Sequence, residues 1–321
     1  NMKKLINYEY DFLGLINKIE NDLLDTSKFV GKKNNKWFVV GLDGTLLNAS
    51  HQIDASSAEV IKKLQAAGII FMVATGRNYQ SVIPMLEEFD IRCDCLLLNG
   101  ALIIDDKGNT CREITMPMHA VKDCINVLES LDSAYHIYSD EGTLTTNEVR
   151  GVLEFKKHMI RNGLSAEEID EMLETTSFAK YDREIQDVEA YYKEERVIYK
   201  IETFSESEEK IDLVRNKLST IKDIEITNSI ANNIEITSSK AQKGSSLLAF
   251  CQQIGISKEE VLTFGDSLND LSMMQRFPHS IAVANAIPEI KNAATYITKS
   301  NVEFGVNSVC LELLEYMKKV K

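Results

Sequence analysis

The chain alternates between short, uninterrupted apolar runs and longer stretches with helical spacing. WFVV from Trp37, IIFMVAT from Ile69 and CLLLNG from Cys95 are runs of the first kind. Bounded by polar turns, they fit strands buried on both faces. Between them, Ala55 to Ala67 and Tyr79 to Phe89 place apolar residues at helical intervals, the former closing at Gly68. Strand, helix, strand in this order predicts parallel pairing. ALIIDDKGNTCREI then reads as a hairpin turning at Asp106, Lys107 and Gly108. The alternation returns late in the chain. Helix Gly244 to Ile254, strand VLTFGD from Val261, helix Leu268 to Gln275, strand SIAVAN, helix Pro288 to Ala294, strand YIT and a last helix from Val306 follow one another. Two distant segments are therefore expected to share one parallel sheet.

Between these segments, from about Thr115 to Thr227, shorter strands (AYHIYS, VIYKIETF, IEITNS) mix with helices (His119 to Leu131, Glu206 to Leu218). That mixture predicts an inserted α+β domain. The expected layout is a leader over residues 1–34, a core from 35–114 and 228–321, and an insertion over 115–227. In the leader, Leu5, Ile6, Phe12, Leu13, Ile16, Ile19, Leu23 and Leu24 recur at mostly three- and four-residue spacings, as in an amphipathic helix, and GKKNNK follows as a linker. Packing on its own domain is the simplest use of such a helix; joining two subunits is the other. A monomer or homodimer is expected.

Composition narrows the function. With 321 residues, 44% of them hydrophobic, and only 15 Gly and 4 Pro, the chain has material for a large core and is not a disordered segment. Against 49 Asp+Glu there are 36 Lys+Arg, a net charge of −13. A general nucleic-acid binder is excluded on that balance, but a local phosphate site is not, because helix N-termini, a lysine or a bound cation supply local positive potential. The apolar runs fall far short of the ~20 residues of a membrane helix. The opening NMKKLINYEYDFLGL lacks the clean apolar run of a signal peptide, so a cytoplasmic protein is expected. Six cysteines, most within strand or helix patterns and with no second pair beside Cys93 and Cys95, read as reduced, mostly buried thiols. Residues 165–195 hold 11 acids against 3 bases and read as a solvated helix face, with recognition of a cationic substrate group as the alternative.

In an open parallel sheet, ligands gather beyond the carboxyl ends of the strands. Four such ends are polar here. GLDGTLL carries Asp43, Gly44 and Thr45; ATGR carries Thr75, Gly76 and Arg77; Lys243 and Gly244 open a helix after the insertion; FGDSLND carries Asp266, Asn269 and Asp270. Taken singly, Asp-Gly-Thr is a turn and Thr-Gly-Arg a loop. Their joint placement, in this order and at corresponding strand ends, is what points to chemistry.

In this order the four motifs resemble those of the haloacid dehalogenase-like (HAD) phosphotransferase superfamily, and most closely the Cof-type hydrolases of subfamily IIB. NGA at Asn99, the KG of AQKGSS, VANA at Val283 and SNVEFGV at Ser300 support the likeness, which covers Lys36 to Lys321. The resemblance implies a Rossmann-like parallel-sheet core with an inserted α+β cap, Mg²⁺ as cofactor, and hydrolysis of small phosphorylated metabolites such as sugar phosphates. It further implies roles for named residues. Asp266 and the Asp43 backbone carbonyl would ligate the metal, with Asp270 close by. Lys243, Thr75, Gly76 and Gly44 would hold the phosphoryl group, and Asp43 would serve as acid and base. Asn269 and Asn301 would stand behind them, while Arg77 and Asn99 are open to a substrate contact, a supporting place behind these groups, or a purely structural role. Such convergence makes sense for an anionic substrate, which a carboxylate attacks only when a hard cation and fixed donors neutralise the accumulating charge.

One position departs from the pattern. The family's Asp-Xaa-Asp motif begins with the covalent nucleophile, which is also a metal ligand, and this chain has Gly41 there. Sliding the motif to make Asp43 the nucleophile would leave Thr45 in the acid/base place. Loss of a nucleophile costs on the order of 10⁶ in turnover by analogy with a serine protease. The resemblance thus leaves a phosphatase changed at position 41, a pseudoenzyme that binds a phosphorylated metabolite as a sensor, or a catalyst with a rerouted mechanism.

Overall fold

The structure, a computed structural model, describes residues 37–146, 156–157, 159–175 and 181–320; the leader over 1–34 lies outside the described residues. Two compact units emerge. The described residues of the first are 37–113 and 242–320, and the second is Ile114–Ala241.

The first unit holds strands β1 (Trp37–Gly41), β2 (Ile70–Ala74), β3 (Asp94–Leu97), β4 (Leu102–Ile104) and β5 (Thr110–Glu113) from its earlier segment. The second unit supplies β6 (Ala134–Ser139), β7 (Gly142–Thr145), β8 (Arg183–Glu184), β9 (Ile198–Phe204), β10 (Ile224–Thr227) and β11 (Asn233–Ser238). Strands β12 (Val261–Gly265), β13 (His279–Ala282) and β14 (Tyr296–Ile297) return to the first. Its eight strands run β14-β13-β12-β1-β2-β3-β4-β5, parallel from β14 to β3 and antiparallel through the final hairpin. Val73, Ala74, Leu96, Leu97, Phe264 and Ile281 are wholly buried, as expected of strands covered on both faces. The helix Ala55–Ala66 starts where the Asp54 side chain accepts from Ser56 N, and Tyr79–Glu88 where Asn78 accepts from Ser81 N. The helix Lys243–Ile254 ends at Gly255 in the left-handed conformation.

Register decides which loops meet. Gly41 pairs with Ala74, Ala74 with Leu96, and Val40 with Phe264. The carboxyl ends of β12, β1, β2 and β3 therefore stand side by side, and the segments that follow them form one rim.

In the second unit the order is β10-β11-β9-β6-β7-β8, antiparallel apart from β7 with β8. One face buries Ile137, Ile201, Ile234 and Ile236 with Cys124, Ile125, Leu128, Val214 and Leu218 from the helices Met118–Ser130 and Glu208–Leu218. The core boundary expected at residue 228 precedes β11, but β11 pairs with β9 and β10, so residues up to 241 belong with the second sheet. NIEITS alternates in the same way whichever sheet accepts it, and only its partners reveal the assignment. Within the acidic stretch, Glu167, Glu168 and Asp170 of the helix Ala166–Thr175 are exposed while Ile169 is buried, a solvated face over a small apolar contact. The six cysteines are free thiols. Among the described residues no helix is long and apolar enough to cross a membrane.

Candidate active site

Gly41 closes β1 at φ −57°, ψ 148°, an extended conformation open to any residue. A Cβ there would lie 3.2 Å from Thr45 Oγ1, 3.3 Å from the Phe264 carbonyl and 3.5 Å from Asp270 Oδ1. The direction of the absent side chain is thus into the rim. The following wide turn, Leu42–Leu46, is interrupted at Asp43 (φ −66°, ψ 134°) and Gly44 (φ 71°, ψ −4°). At Gly44 a Cβ would overlap the Asp266 carboxylate, so this backbone approaches Asp266 only because the residue has no side chain. Thr45 Oγ1 donates to Asp266 Oδ1 at 3.0 Å. The turn is tied from outside as well. Asn285 Nδ2 donates to the Gly44 carbonyl at 2.7 Å, Asn301 N donates to Asn285 Oδ1 at 3.0 Å, and Asn301 Nδ2 donates to the Leu47 carbonyl at 3.0 Å.

Beyond β12, Ser267 Oγ donates to Asp266 Oδ2 at 3.0 Å. Asp270 is held on both oxygens. Its Oδ2 accepts from Asp266 N at 2.9 Å and Ser267 N at 3.2 Å, and its Oδ1 accepts from Lys243 Nζ at 2.7 Å. Lys243 also donates to the Ala74 carbonyl at 3.3 Å, so one buried ammonium links the ends of β2 and β12. Two carboxylates facing one ammonium leave an excess of negative charge. Burial, followed by the charge of Asp270, pushes the Asp266 carboxyl up to about 7.

At the end of β2, Thr75 N donates to the Leu96 carbonyl at 2.9 Å, and Thr75 Oγ1 accepts from Arg77 N at 3.1 Å. Gly76 follows Thr75 in the same bend. The Arg77 guanidinium turns to Asp43: Nε donates to Oδ2 at 2.8 Å, Nη2 to Oδ1, and Nη1 reaches Ser81 Oγ at 3.3 Å. His51 Nδ1 stands 3.5 Å from the same Asp43 Oδ1. Burial works against the Asp43 charge, but the hydrogen bonds and charges of His51 and Arg77 outweigh it and hold the carboxyl well below the usual range. The bond from Asp43 in turn raises His51 above its ordinary value. Asn99 N donates to the Thr75 carbonyl at 3.1 Å, and Asn269 Nδ2 donates to Asn99 Oδ1 at 3.2 Å.

Contacts at the rim thus connect Gly41, Gly44, Thr75, Asn99, Lys243, Asp266, Asn269 and Asp270. Asp43 is near them in the chain, but its carboxylate is spent on Arg77 and His51. Asn301 braces the turn through Leu47 rather than entering the cluster. Among the described residues no group of three or more His, Cys, Asp or Glu side chains is arranged to hold a metal ion unaided. Asn285, His51 and Ser267 are contributors that sequence reasoning missed. Ser267 lies inside FGDSLND and Asn285 inside VANA, but nothing local announces that the Asn285 amide reaches Gly44.

The sequence profile of the haloacid dehalogenase-like hydrolases matches residues 38–309. Phosphatase YwpJ of Bacillus subtilis is 28% identical over 285 residues, which are 87% of this chain and 100% of that protein. From the same organism, 5-amino-6-(5-phospho-D-ribitylamino)uracil phosphatase YwtE is 31% identical over 274 residues, 84% of this chain and 95% of the relative. The solved structure of a haloacid dehalogenase-like hydrolase from B. subtilis superposes with a TM-score of 0.76 at 27% identity, covering 87% of this chain and 99% of the other.

Proposed function

Because the chain belongs to the haloacid dehalogenase-like hydrolase family, we propose that its rim is the phosphate-monoester site of a Mg²⁺-dependent phosphatase, with turnover impaired by glycine at position 41. The observation that carries this reading is the direction of the missing Gly41 side chain. It would enter between Thr45 Oγ1 and Asp270 Oδ1, beside the ammonium of Lys243. An aspartate grown from that Cβ would join Asp266 and Asp270 to make three carboxylates around one point.

The donors that are present fit a hard cation. They are all oxygens, their charge exceeds that of Lys243, and burial, followed by the charge of Asp270, pushes Asp266 up to about 7. Mg²⁺ is commonly held by one or two carboxylates together with water and substrate phosphate. Asp266 and Asp270, with the Asp43 backbone carbonyl, are the groups that would hold it. When bound, Mg²⁺ supplies positive charge where the transferring phosphoryl group accumulates negative charge. Lys243 adds a fixed point charge from the protein. The Thr75 hydroxyl accepts from Arg77 N and donates to none of the described residues, which leaves its hydrogen for a phosphoryl oxygen. The substrate class is a small phosphorylated metabolite, as with the ribitylaminouracil phosphate that names one relative.

Replacing Gly41→Asp and assaying an aryl phosphate with Mg²⁺ tests the reading. Turnover should rise by about three to six orders of magnitude over the parent, and a chelator should abolish it. Equal rates in parent and variant would sink it. A second reading, a metabolite-binding protein without turnover, draws on Asp43. Held ionised by Arg77 and His51, that carboxyl has no proton to give a leaving group. It calls for saturable binding of a phosphorylated metabolite by the unmodified chain, which calorimetry across a panel of sugar phosphates measures.

A further inference from the structure

Three consecutive residues after β3, Leu98, Asn99 and Gly100, lie in the left-handed region at φ 51°, 57° and 98°. Glycine enters that region freely and asparagine tolerates it, but leucine does so against its own Cβ. Such strain persists only where surrounding contacts enforce it, and it concentrates at functional sites.

Here the contacts reach three parts of the rim. Leu98 N donates to the Arg77 carbonyl at 3.0 Å and Asn99 N to that of Thr75 at 3.1 Å, which fixes the turn to the end of β2. Ser246 Oγ donates to the Gly100 carbonyl at 2.6 Å, and a Cβ on Gly100 would overlap the Gln242 carbonyl. The turn is therefore seated on the start of the helix that begins with Lys243. Asn269 Nδ2 closes the third side by donating to Asn99 Oδ1 at 3.2 Å.

One group is left over. Asn99 is 2% exposed, and its Nδ2 is buried with no hydrogen-bond partner among the described residues. A side-chain amide nitrogen carries two donors, and burying them unspent costs more than a satisfied bond returns. A purely structural turn has no reason to combine strain with an unspent donor. Glycine at 99 would keep the left-handed backbone and remove the unspent donor.

We propose that Asn99 is a ligand-binding residue whose Nδ2 donates to a phosphoryl oxygen, presented by the strained Leu98–Gly100 turn. The inference rests on the phosphate-monoester reading above. A neutral amide suits this task. It adds a directed donor without a further charge in a site already crowded with them.

Isothermal titration of the full chain with inorganic phosphate, in the presence of Mg²⁺, tests it. Asn99→Asp keeps the size, the left-handed tolerance and the acceptor for Asn269, but exchanges the donor for an acceptor. Phosphate affinity should fall about 10- to 100-fold. Asn99→Gly accommodates the backbone with no side chain, which keeps the test open if the aspartate variant does not fold; it should lose about tenfold for phosphate while its affinity for Mg²⁺ alone changes less than about threefold. If the folded variants bind phosphate within about twofold of the parent, or if Asn99→Gly lowers only the melting temperature, the role of Asn99 is overturned. A parent that binds no phosphate overturns the monoester reading, and this inference with it, before any substitution is made.

Discussion

Lys243 Nζ sits 2.7 Å from Asp270 Oδ1, and the two side chains are only 3% and 2% exposed. A pair so far from water is costly to assemble and more costly to break, because removing one partner strands the other's charge. Lys243→Met should lower stability by about 3–5 kcal/mol in urea denaturation. Adding Asp270→Asn should recover part of that loss. The amide carries no charge, yet it can still accept from Asp266 N and Ser267 N, which depend on Asp270 Oδ2.

Asp266 gives the metal-free protein a pH dependence of definite sign. Burial and the neighbouring Asp270 push its carboxyl up to about 7, from 3.8 when unfolded. Below about pH 4 both states are protonated and nothing is lost. As pH rises from there to about 7, the folded state must hold a proton that the unfolded state releases, so stability falls. Urea unfolding in a chelator should show a loss on the order of a few kcal/mol between pH 5 and pH 8. Asp266→Asn should flatten that slope, and Mg²⁺ should offset the loss in the parent. A parent whose stability rises over this interval would show that Asp266 is ionised in the folded, metal-free state.

Much of this site is legible in the sequence, and the parts that are not share one physical cause. Strands β2, β3 and β12 announce themselves because residues such as Val73, Leu96 and Phe264 are buried on both faces, which leaves unbroken apolar runs. The residues just beyond them are polar and lie at one rim of the sheet. Which side chain answers which is a tertiary matter. Thr45 meets Asp266 across 221 residues, and Asn285 meets Gly44 across 241. The diversion of Asp43 to Arg77 and His51 was equally hidden, since Asp-Gly-Thr reads the same whether its carboxylate faces a ligand or a guanidinium. The pairing of β11 was invisible for a related reason: alternation tells which side of a strand is buried, not which sheet it joins.

Gly44 and Gly108 separate a backbone cost from a site cost. Both have positive φ, 71° and 87°, so alanine is strained at either. At Gly108 an added Cβ meets nothing within 4 Å, whereas at Gly44 it overlaps the Asp266 carboxylate. Gly108→Ala should therefore cost only the conformational penalty, about 1 kcal/mol, and leave cation binding alone. Gly44→Ala should cost at least about 2 kcal/mol, because the turn must also withdraw from Asp266, and Mg²⁺ affinity by calorimetry should drop with it. Equal penalties at the two positions would mean that the Asp43–Thr45 turn retreats freely.

Placing a carboxylate at position 41 should make the order of stability among variants at that position depend on metal. The backbone at Gly41 accepts any residue, and a Cβ finds close but non-overlapping neighbours at 3.2–3.5 Å. Gly41→Ala should therefore shift stability by no more than about 1 kcal/mol. Gly41→Asp adds a negative charge beside Asp270 and Asp266, with Lys243 alone to balance three carboxylates. In a chelator it should be the least stable of the three, by about 1–3 kcal/mol relative to the alanine variant. With saturating Mg²⁺ the order should invert, since a ligand that binds the folded state more tightly stabilises it more. Melting curves with and without the cation read the inversion directly. If Mg²⁺ raises the midpoints of the parent and Gly41→Asp by the same amount, the side chain at 41 does not reach the cation, and the explanation of impaired turnover by a missing carboxylate fails on thermodynamic grounds, whatever an activity assay reports.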